Sequence, residues 1–300
     1  MWPTIWFPQR GTNFLFLALK ALVFKIFHSN SVYMSNYKIA IIGGGNLGSS
    51  IAEGLIASGF VQANQITITK RNLATIQHLA DKGVSVTSDN QAAVKDAQYV
   101  ILAVKPFQIK DIVADIQPLL VAGKHTIISV ATGVWIKDME EMLDTDFALF
   151  RAMPNTAISI QQSMTCICAN AKAKDQVAYV SALFDQLGKS IVIDEKLMDA
   201  ATVLGACGTA YALRYIRANI QGGIEIGFSA AQASLIAAQT VKGAADLLLT
   251  KNTHPEQEID KVTTPMGCTI AGLNEMEHQG FSSSLIRGLT ASYRKIKNDM

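Results

Sequence analysis

The sequence predicts an α/β fold, a doubly wound parallel sheet followed by an all-α C-terminal domain, and three observations carry that prediction. Short apolar runs alternate with amphipathic stretches from residue 38 to residue 193, the pattern of strands joined by crossover helices. The first apolar run ends in glycines spaced G-x-G-x-x-G. Beyond Lys196 the strand signal stops, and long helical periodicity rich in Ala and Gly takes over.

Ile39, Ala40, Ile41 and Ile42 read as a strand buried on both faces, and Gly43, Gly45 and Gly48 follow directly. A helix then begins, with Leu47, Ile51, Leu55 and Ile56 on one face. Strand, glycine turn and helix in this order make a dinucleotide site of the Rossmann type. The first glycine allows a tight turn, the second lets the backbone approach a pyrophosphate, and the third lets the helix pack on the strand. Asn46 and Leu47 lie at the helix start, whose unpaired N–H groups meet the pyrophosphate. The second strand, 65–69, should lead to an acid that holds a ribose 2′-hydroxyl, yet none lies between Glu53 and Asp81. Thr69, Lys70, Arg71 and Asn72 stand there instead. Two cations suit a 2′-phosphate and favour NADPH, with NADH as the alternative and a solvated basic turn as the plain structural reading.

A helix over 72–82, a strand over 84–87 and the turn Ser88-Asp89-Asn90 come next. Strand 99–104 stops at Lys105-Pro106, where proline forces the chain out at the carboxyl edge that binds ligands in open α/β sheets. Helix 109–119, strand 126–130, a turn at Thr132-Gly133, helix 135–143 and strand 147–150 continue the alternation. Strand 164–169, helix 175–187 and strand 190–193 complete the sheet. One long helix is expected over 199–227 and another over 229–250, N-capped by Ser229, before three shorter ones. Ala200, Ala201, Gly205, Ala206, Ala210 and Ala218 let helices approach closely. So small a helical domain buries that surface better against a second copy, which makes it a dimerisation domain.

The totals agree with a folded chain of two domains: 300 residues, of which 49% are hydrophobic and 17% charged, exclude a disordered composition. A net charge of +2 implies no nucleic-acid partner. Cys166, Cys168, Cys207 and Cys268 lack C-x-x-C spacing and read as reduced, packed thiols in a cytoplasmic protein without a metal site, Cys166 and Cys168 sharing one face of a strand. Residues 1–33 hold no acid, and their apolar run 14–27 is broken by Lys20 and Lys25. A membrane span needs about 20 apolar residues, so no membrane attachment is expected. The segment reads as an extension ahead of a start at Met34, leaving 34–195 as the dinucleotide-binding domain and 196–300 as the helical one.

Hydride transfer needs a nicotinamide, an acceptor pocket and a group that manages one proton. A carbonyl acceptor asks for a buried Lys or an acid-paired His. No Lys lies between Lys196 and Lys242, and His254 and His278 stand in polar segments. An imine, whose nitrogen enters protonated, needs only a hydroxyl to hold it. The run 260–270 offers one: Thr264 reads as an N-cap with Pro265 at the first helical position, and Gly267 keeps the backbone open. Free N–H groups there receive a carboxylate and Thr269 reaches a ring nitrogen; plain helix capping fits the same spacing.

The motifs IIGGGNLGSSIAEGL at 41–55, AVKP at 103–106, ISVATGV at 128–134, RAMPNT at 151–156 and DKVTTPMGCTIAGL at 260–273 resemble those of pyrroline-5-carboxylate reductases, over residues 36–297. These enzymes reduce 1-pyrroline-5-carboxylate to proline. The resemblance implies that Gly43 to Gly48, Arg71, Asn90, Ala103, Val104, Lys105 and Pro106 bind NADPH, beside the Lys70 that the basic turn already offers. It places Val262, Gly267, Cys268 and Thr269 around the imino acid, with Thr269 the catalytic residue at its nitrogen. It also implies homodimers, or higher homo-oligomers, interleaved through the helical domains. Two departures stand out: Thr209 replaces a proline in the family's Gly-Ser-Gly-Pro-Ala-Tyr, removing a kink, and Met266 replaces the first glycine of its Pro-Gly-Gly. A 3-hydroxy acid dehydrogenase and an inactive NADP-binding regulatory protein are the rival readings.

Overall fold

The computed structural model describes residues 37–143 and 146–299, so the expectations for residues 1–33 and for Met34 lie outside the described residues. Strands β1 (Ile39–Ile42), β2 (Ile66–Thr69), β3 (Ser85–Thr87), β4 (Tyr99–Leu102), β5 (Thr126–Ser129), β6 (Ala148–Met153), β7 (Ser163–Ala169) and β8 (Gly188–Val192) form one sheet in the order β3-β2-β1-β4-β5-β6-β7-β8. The connections carry α1 (Asn46–Ala57), α2 (Gln77–Ala80), α3 (Asn90–Val94), α4 (Ile109–Ile116), α5 (Ile136–Leu143) and α6 (Val177–Asp185).

Alternation along each strand feeds two apolar layers, as a sheet covered on both faces requires. Ile39, Ile41, Ile101, Phe150 and Ile167 pack under α1, α2 and α6 with Ile51, Leu55, Leu79 and Phe184. Ala40, Ile42, Val100, Leu102 and Leu149 pack on the other side with Val94, Val113, Ile116 and Met139 of α3, α4 and α5. Cys166 and Cys168 share that second face, and all four thiols are free. Burial pushes the Cys168 thiol up to about 12.

Three sheet-region expectations need correction. The parallel sheet holds at every pairing but one, since β6 and β7 run antiparallel while β7 and β8 are parallel. Only residues 154–162 join β6 to β7, and a parallel crossover needs about a dozen or more. The helix over 72–82 is a 3₁₀ turn, Leu73–Ile76, followed by the four residues of α2. The helix over 175–187 likewise opens as a 3₁₀ turn, Ala171–Gln176, before α6.

The remaining chain is helical: α7 (Met198–Ala201), a π-helical stretch Thr202–Cys207, α8 (Gly208–Glu225), α9 (Ala230–Lys251), α10 (Pro255–Val262), α11 (Cys268–His278) and α12 (Phe281–Asp299). The single helix expected over 199–227 is therefore interrupted by the π stretch. Its Gly205 carbonyl accepts from Asn155 Nδ2 at 3.1 Å and from Thr209 Oγ1 at 3.4 Å. Thr209 thus stands one residue into α8, directly after a π stretch whose Gly205 carbonyl serves two side chains. Ser229 caps α9 as expected, exchanging bonds with Gln232 in a capping box. Close approach of α8 and α9 rests on small residues, since a Cβ at Gly223 would lie 3.1 Å from Ala233 Cβ. No described helix is long and apolar enough to cross a membrane.

Candidate active site

At the carboxyl edge of the sheet the first βα turn is held by Thr69 of the neighbouring strand. Gly43 N–H donates to Thr69 Oγ1 at 3.2 Å and Gly44 N–H to the Thr69 carbonyl at 2.6 Å. Gly43 has φ +111°, and a Cβ there would lie 2.5 Å from the Ala103 carbonyl oxygen. At Gly48 a Cβ would lie 2.1 Å from the Gly43 carbonyl, so α1 can sit this close to β1 only with glycine at that position. Gly45, the N-cap of α1, has no side-chain cap and nothing within 4 Å of a notional Cβ. The first turn of α1 carries no acid, which leaves its N–H groups open to an anion.

A cleft of about 830 Å³ opens beside this turn. It gathers Gly43, Gly45, Asn46, Leu47, Lys70, Arg71, Asn90, Ala103, Val104, Lys105 and Pro106, which the sequence reading had spread over sixty residues of chain. Gly48 lies beneath it, buried against β1. Three cations and no carboxylate line the cleft, so its field suits a ligand carrying several phosphates. An open helix N-terminus, bare glycine backbone and this donor set fit NADPH.

Sequence reasoning did not name Ser88, Gln108, Ile112, Val130, Ala131 and Thr132 among the lining residues. The signal was present, because 130–132 leave the carboxyl end of β5, where open α/β sheets place ligands. A second cavity of about 670 Å³ adjoins the same glycine turn and takes in Pro154, Asn155, Thr156 and Ala206 of the π stretch. Asn155 braces this wall: besides donating to Gly205, its Oδ1 accepts from Ala157 N–H and its own N–H donates to Ser163 Oγ.

The junction to the helices is electrostatic. Arg151 Nη1, almost wholly buried, lies 2.8 Å from Glu195 Oε1, which also accepts the Ile136 N–H at 2.8 Å. The Arg151 guanidinium sits 4.9 Å from the Trp135 ring centroid. Lys297 of α12 reaches Asp199 at 3.2 Å, and that partner raises its pKa.

Val262, Gly267, Cys268 and Thr269 are not in the cleft of their own chain, for neither cavity contains a residue beyond Ala206. The expected cap at Thr264 with Pro265 opening the helix is also wrong. α11 starts at Cys268 with Gly267 as N-cap, and Thr264 to Gly267 is a turn closed by Gly267 N–H on the Thr264 carbonyl at 3.0 Å. Pro265 fills the second turn position and Met266 the third, with φ +59°, where glycine is usual. A Cβ on Gly267 would lie 2.5 Å from Thr264 Oγ1. Thr269 is half-buried in the first turn of α11, and its hydroxyl has no recorded partner among the described residues.

A family model for pyrroline-5-carboxylate reductase dimerisation matches residues 195–299, and one for coenzyme F420-dependent NADP oxidoreductases matches residues 38–133. Pyrroline-5-carboxylate reductase 1 of Dictyostelium discoideum is 50% identical over 86% of this chain, which spans 49% of that relative's length. Pyrroline-5-carboxylate reductase 2 of the same organism is 46% identical over 87% of this chain and 92% of its own. Among solved structures, the Coxiella burnetii pyrroline-5-carboxylate reductase is 31% identical with a TM-score of 0.83, over 88% of this chain and 98% of its own. The Plasmodium falciparum pyrroline carboxylate reductase with NADP bound is 25% identical with a TM-score of 0.77, over the same 88% and 98%. Glycine turn, cationic cleft, dimerisation match and a relative covered almost end to end agree: the chain belongs to the pyrroline-5-carboxylate reductase family.

Proposed function

We propose that the glycine turn and the cationic cleft hold NADPH, and the start of α11 the imino acid, in the reduction of 1-pyrroline-5-carboxylate to L-proline that this chain catalyses. The observation that carries the assignment is the cleft itself, with bare glycine backbone and an open helix N-terminus among three cations. Gly43, Gly45, Asn46, Leu47 and Gly48 seat the pyrophosphate. Lys70 and Arg71 neutralise the 2′-phosphate, and Asn90 and residues 103–106 line the rest. When bound, NADPH supplies a hydride from nicotinamide C4 to the imine carbon C5.

Around the imino acid, the free N–H groups of the first turn of α11 donate to the substrate carboxylate. Thr269 Oγ1 accepts from the protonated ring nitrogen and keeps C5 facing the nicotinamide. Val262, Gly267 and Cys268 form the wall. Positioning of this kind supplies most of the rate, since the cofactor carries the chemistry. Residues 34–195 form the nucleotide unit and 196–300 the substrate and dimerisation unit. Because α11 lies outside the cleft of its own chain, a homodimer joined through the C-terminal helices completes the site. A cytoplasmic location, in keeping with four free thiols, belongs to the same proposal.

Following NADPH absorbance with 1-pyrroline-5-carboxylate tests the assignment. Oxidation should require both compounds, and tight NADPH binding without pyrroline-dependent oxidation would overturn it. Thr269→Ala should lower kcat/KM by about 10- to 1,000-fold with the fold intact. Unchanged rates in that variant would remove Thr269 from the mechanism.

A further inference from the structure

Asn90 stands half-buried at the first turn of α3, on the wall of the nucleotide cleft. Its side chain is tied to the neighbouring helix: Nδ2 donates to Asp115 Oδ2 of α4 at 3.1 Å. Gln91 adds a second amide, with Nε2 3.0 Å from Asp115 Oδ1 and 2.9 Å from the Asp115 carbonyl oxygen. An ionised carboxylate only accepts hydrogen bonds. The two ends of the Asn90 amide are therefore distinguishable: the NH₂ faces Asp115, and Oδ1 has no recorded partner among the described residues. An unanchored Asn would offer a ligand either a donor or an acceptor. Anchored this way, Oδ1 is fixed as its acceptor end, while the NH₂ keeps one further N–H beside Asp115.

That polarity restricts what Oδ1 can meet. Phosphate oxygens accept and cannot bond to Oδ1, whereas hydroxyl and amine groups can. Asn90 shares its end of the cleft with Ser88 and Arg71, on the segments that follow β3 and β2, while Thr132 follows β5, four strands from β3 on the far side of β1. We propose that Asp115 is a positioning residue for the cofactor, orienting Asn90 so that Oδ1 accepts a hydrogen bond from a donor on the adenosine half of NADPH. The inference rests on the reading that NADPH occupies this cleft. Asp115 itself does not line the cleft, so its charge is kept off the phosphates while its geometry is used.

Calorimetric titration of the full chain with NADPH, 2′-phospho-ADP-ribose and reduced nicotinamide mononucleotide tests this. Asp115→Ala should weaken NADPH and 2′-phospho-ADP-ribose by about 3- to 10-fold, the worth of one hydrogen bond, and leave the mononucleotide unchanged. Asp115→Asn, which can present either polarity to Asn90, should fall between Asp115→Ala and wild type. In turnover the loss should fall on KM for NADPH rather than on kcat. Adding Asp115→Ala to Asn90→Ala should cost nothing further, because both act through one bond. Additive losses, or wild-type affinity in Asp115→Ala beside weak binding in Asn90→Ala, would overturn the proposal. Failure of wild type to bind NADPH would instead sink the cofactor reading. A hypoxanthine analogue of NADPH identifies the donor. If the adenine amine is used, the analogue erases the difference between wild type and Asp115→Ala; if a ribose hydroxyl is used, the difference survives.

Discussion

The sheet and the C-terminal helices solve the problem of apolar surface in opposite ways. In β1 and β4 every residue is buried, and both faces of the sheet are closed by helices of the same chain. In α8, α10 and α11 no residue is buried, and in α9 only Ala233 and Ala237 are. Leu213, Leu235 and Leu249 stay exposed along these helices, Leu235 at 72%. Single apolar residues on a surface are ordinary, but a row of them on helices that bury almost nothing implies a partner. The same division runs through the proposed site: the cleft beside the glycine turn is lined from one chain, and the residues proposed for the imino acid stand apart from it. One half of the molecule is finished by folding, the other by association.

The largest effect should come from charging the open helices. Leu213→Glu with Leu235→Glu places unpaired carboxylates where a second copy would dock, at several kcal/mol per buried ion. The variant should run as a monomer by light scattering and lose about 100-fold or more of its reductase activity, while titration shows NADPH still bound. Full activity from a monomer would break the comparison. In the sheet, Phe150→Ala should cost about 3–5 kcal/mol in chemical denaturation, because a fully buried ring leaves a cavity. That loss should be independent of protein concentration, whereas melting of the helices should shift with it. Between the two regions, Glu195→Ala leaves Arg151 buried without its carboxylate. Partial exposure of Glu195 keeps the expected loss near about 2–3 kcal/mol, again read by denaturation.

The same contrast explains what could be read in advance. Strands were legible because double-sided burial writes itself into short apolar runs, and Ser229 because its capping box is local. The glycine fingerprint located the cleft for the same reason: turn, close approach and helix start are adjacent in sequence. What stayed hidden depends on contacts between distant segments. The π stretch accepts a hydrogen bond from Asn155, fifty residues away, and Asp115 meets Asn90 across twenty-five. The reversal at β7 depended on the length of 154–162 and not on any residue pattern. Thr264-Pro265 misled because proline in second place opens a helix and a β-turn equally well.

Acid should weaken the sheet region through His125, which is buried before β5 with Nδ1 accepting the Val121 N–H at 2.8 Å and Nε2 3.2 Å from the Val94 carbonyl. Burial is the main cause that lowers its pKa. The folded state therefore binds its proton less readily than the unfolded chain does. Stability from the neutral ring is complete above the unfolded value of about 6.5 and is lost as pH falls through and below it. Melting curves from pH 8 to pH 5 should slope less in His125→Gln than in wild type, and equal slopes would exclude His125 as the titrating group.

The smallest effect is the most discriminating. Met266 sits at φ +59° with its side chain fully exposed at 102%, in the turn that leads to Thr269. A left-handed non-glycine residue carries about 1 kcal/mol or more of strain, and glycine relieves it at a cost of about 0.5–1 kcal/mol in unfolded-state entropy. Met266→Gly should thus stabilise a lone chain by less than about 1 kcal/mol, a shift of about 2–4 °C at most. In the assembled protein the sign should reverse, because a covered Met loses about 1.5–3 kcal/mol of burial when it is removed. Melting at low and high protein concentration separates the two. A gain at every concentration would mean that this turn faces solvent even in the oligomer, and the division between a self-sufficient sheet and partner-dependent helices would then end before α11.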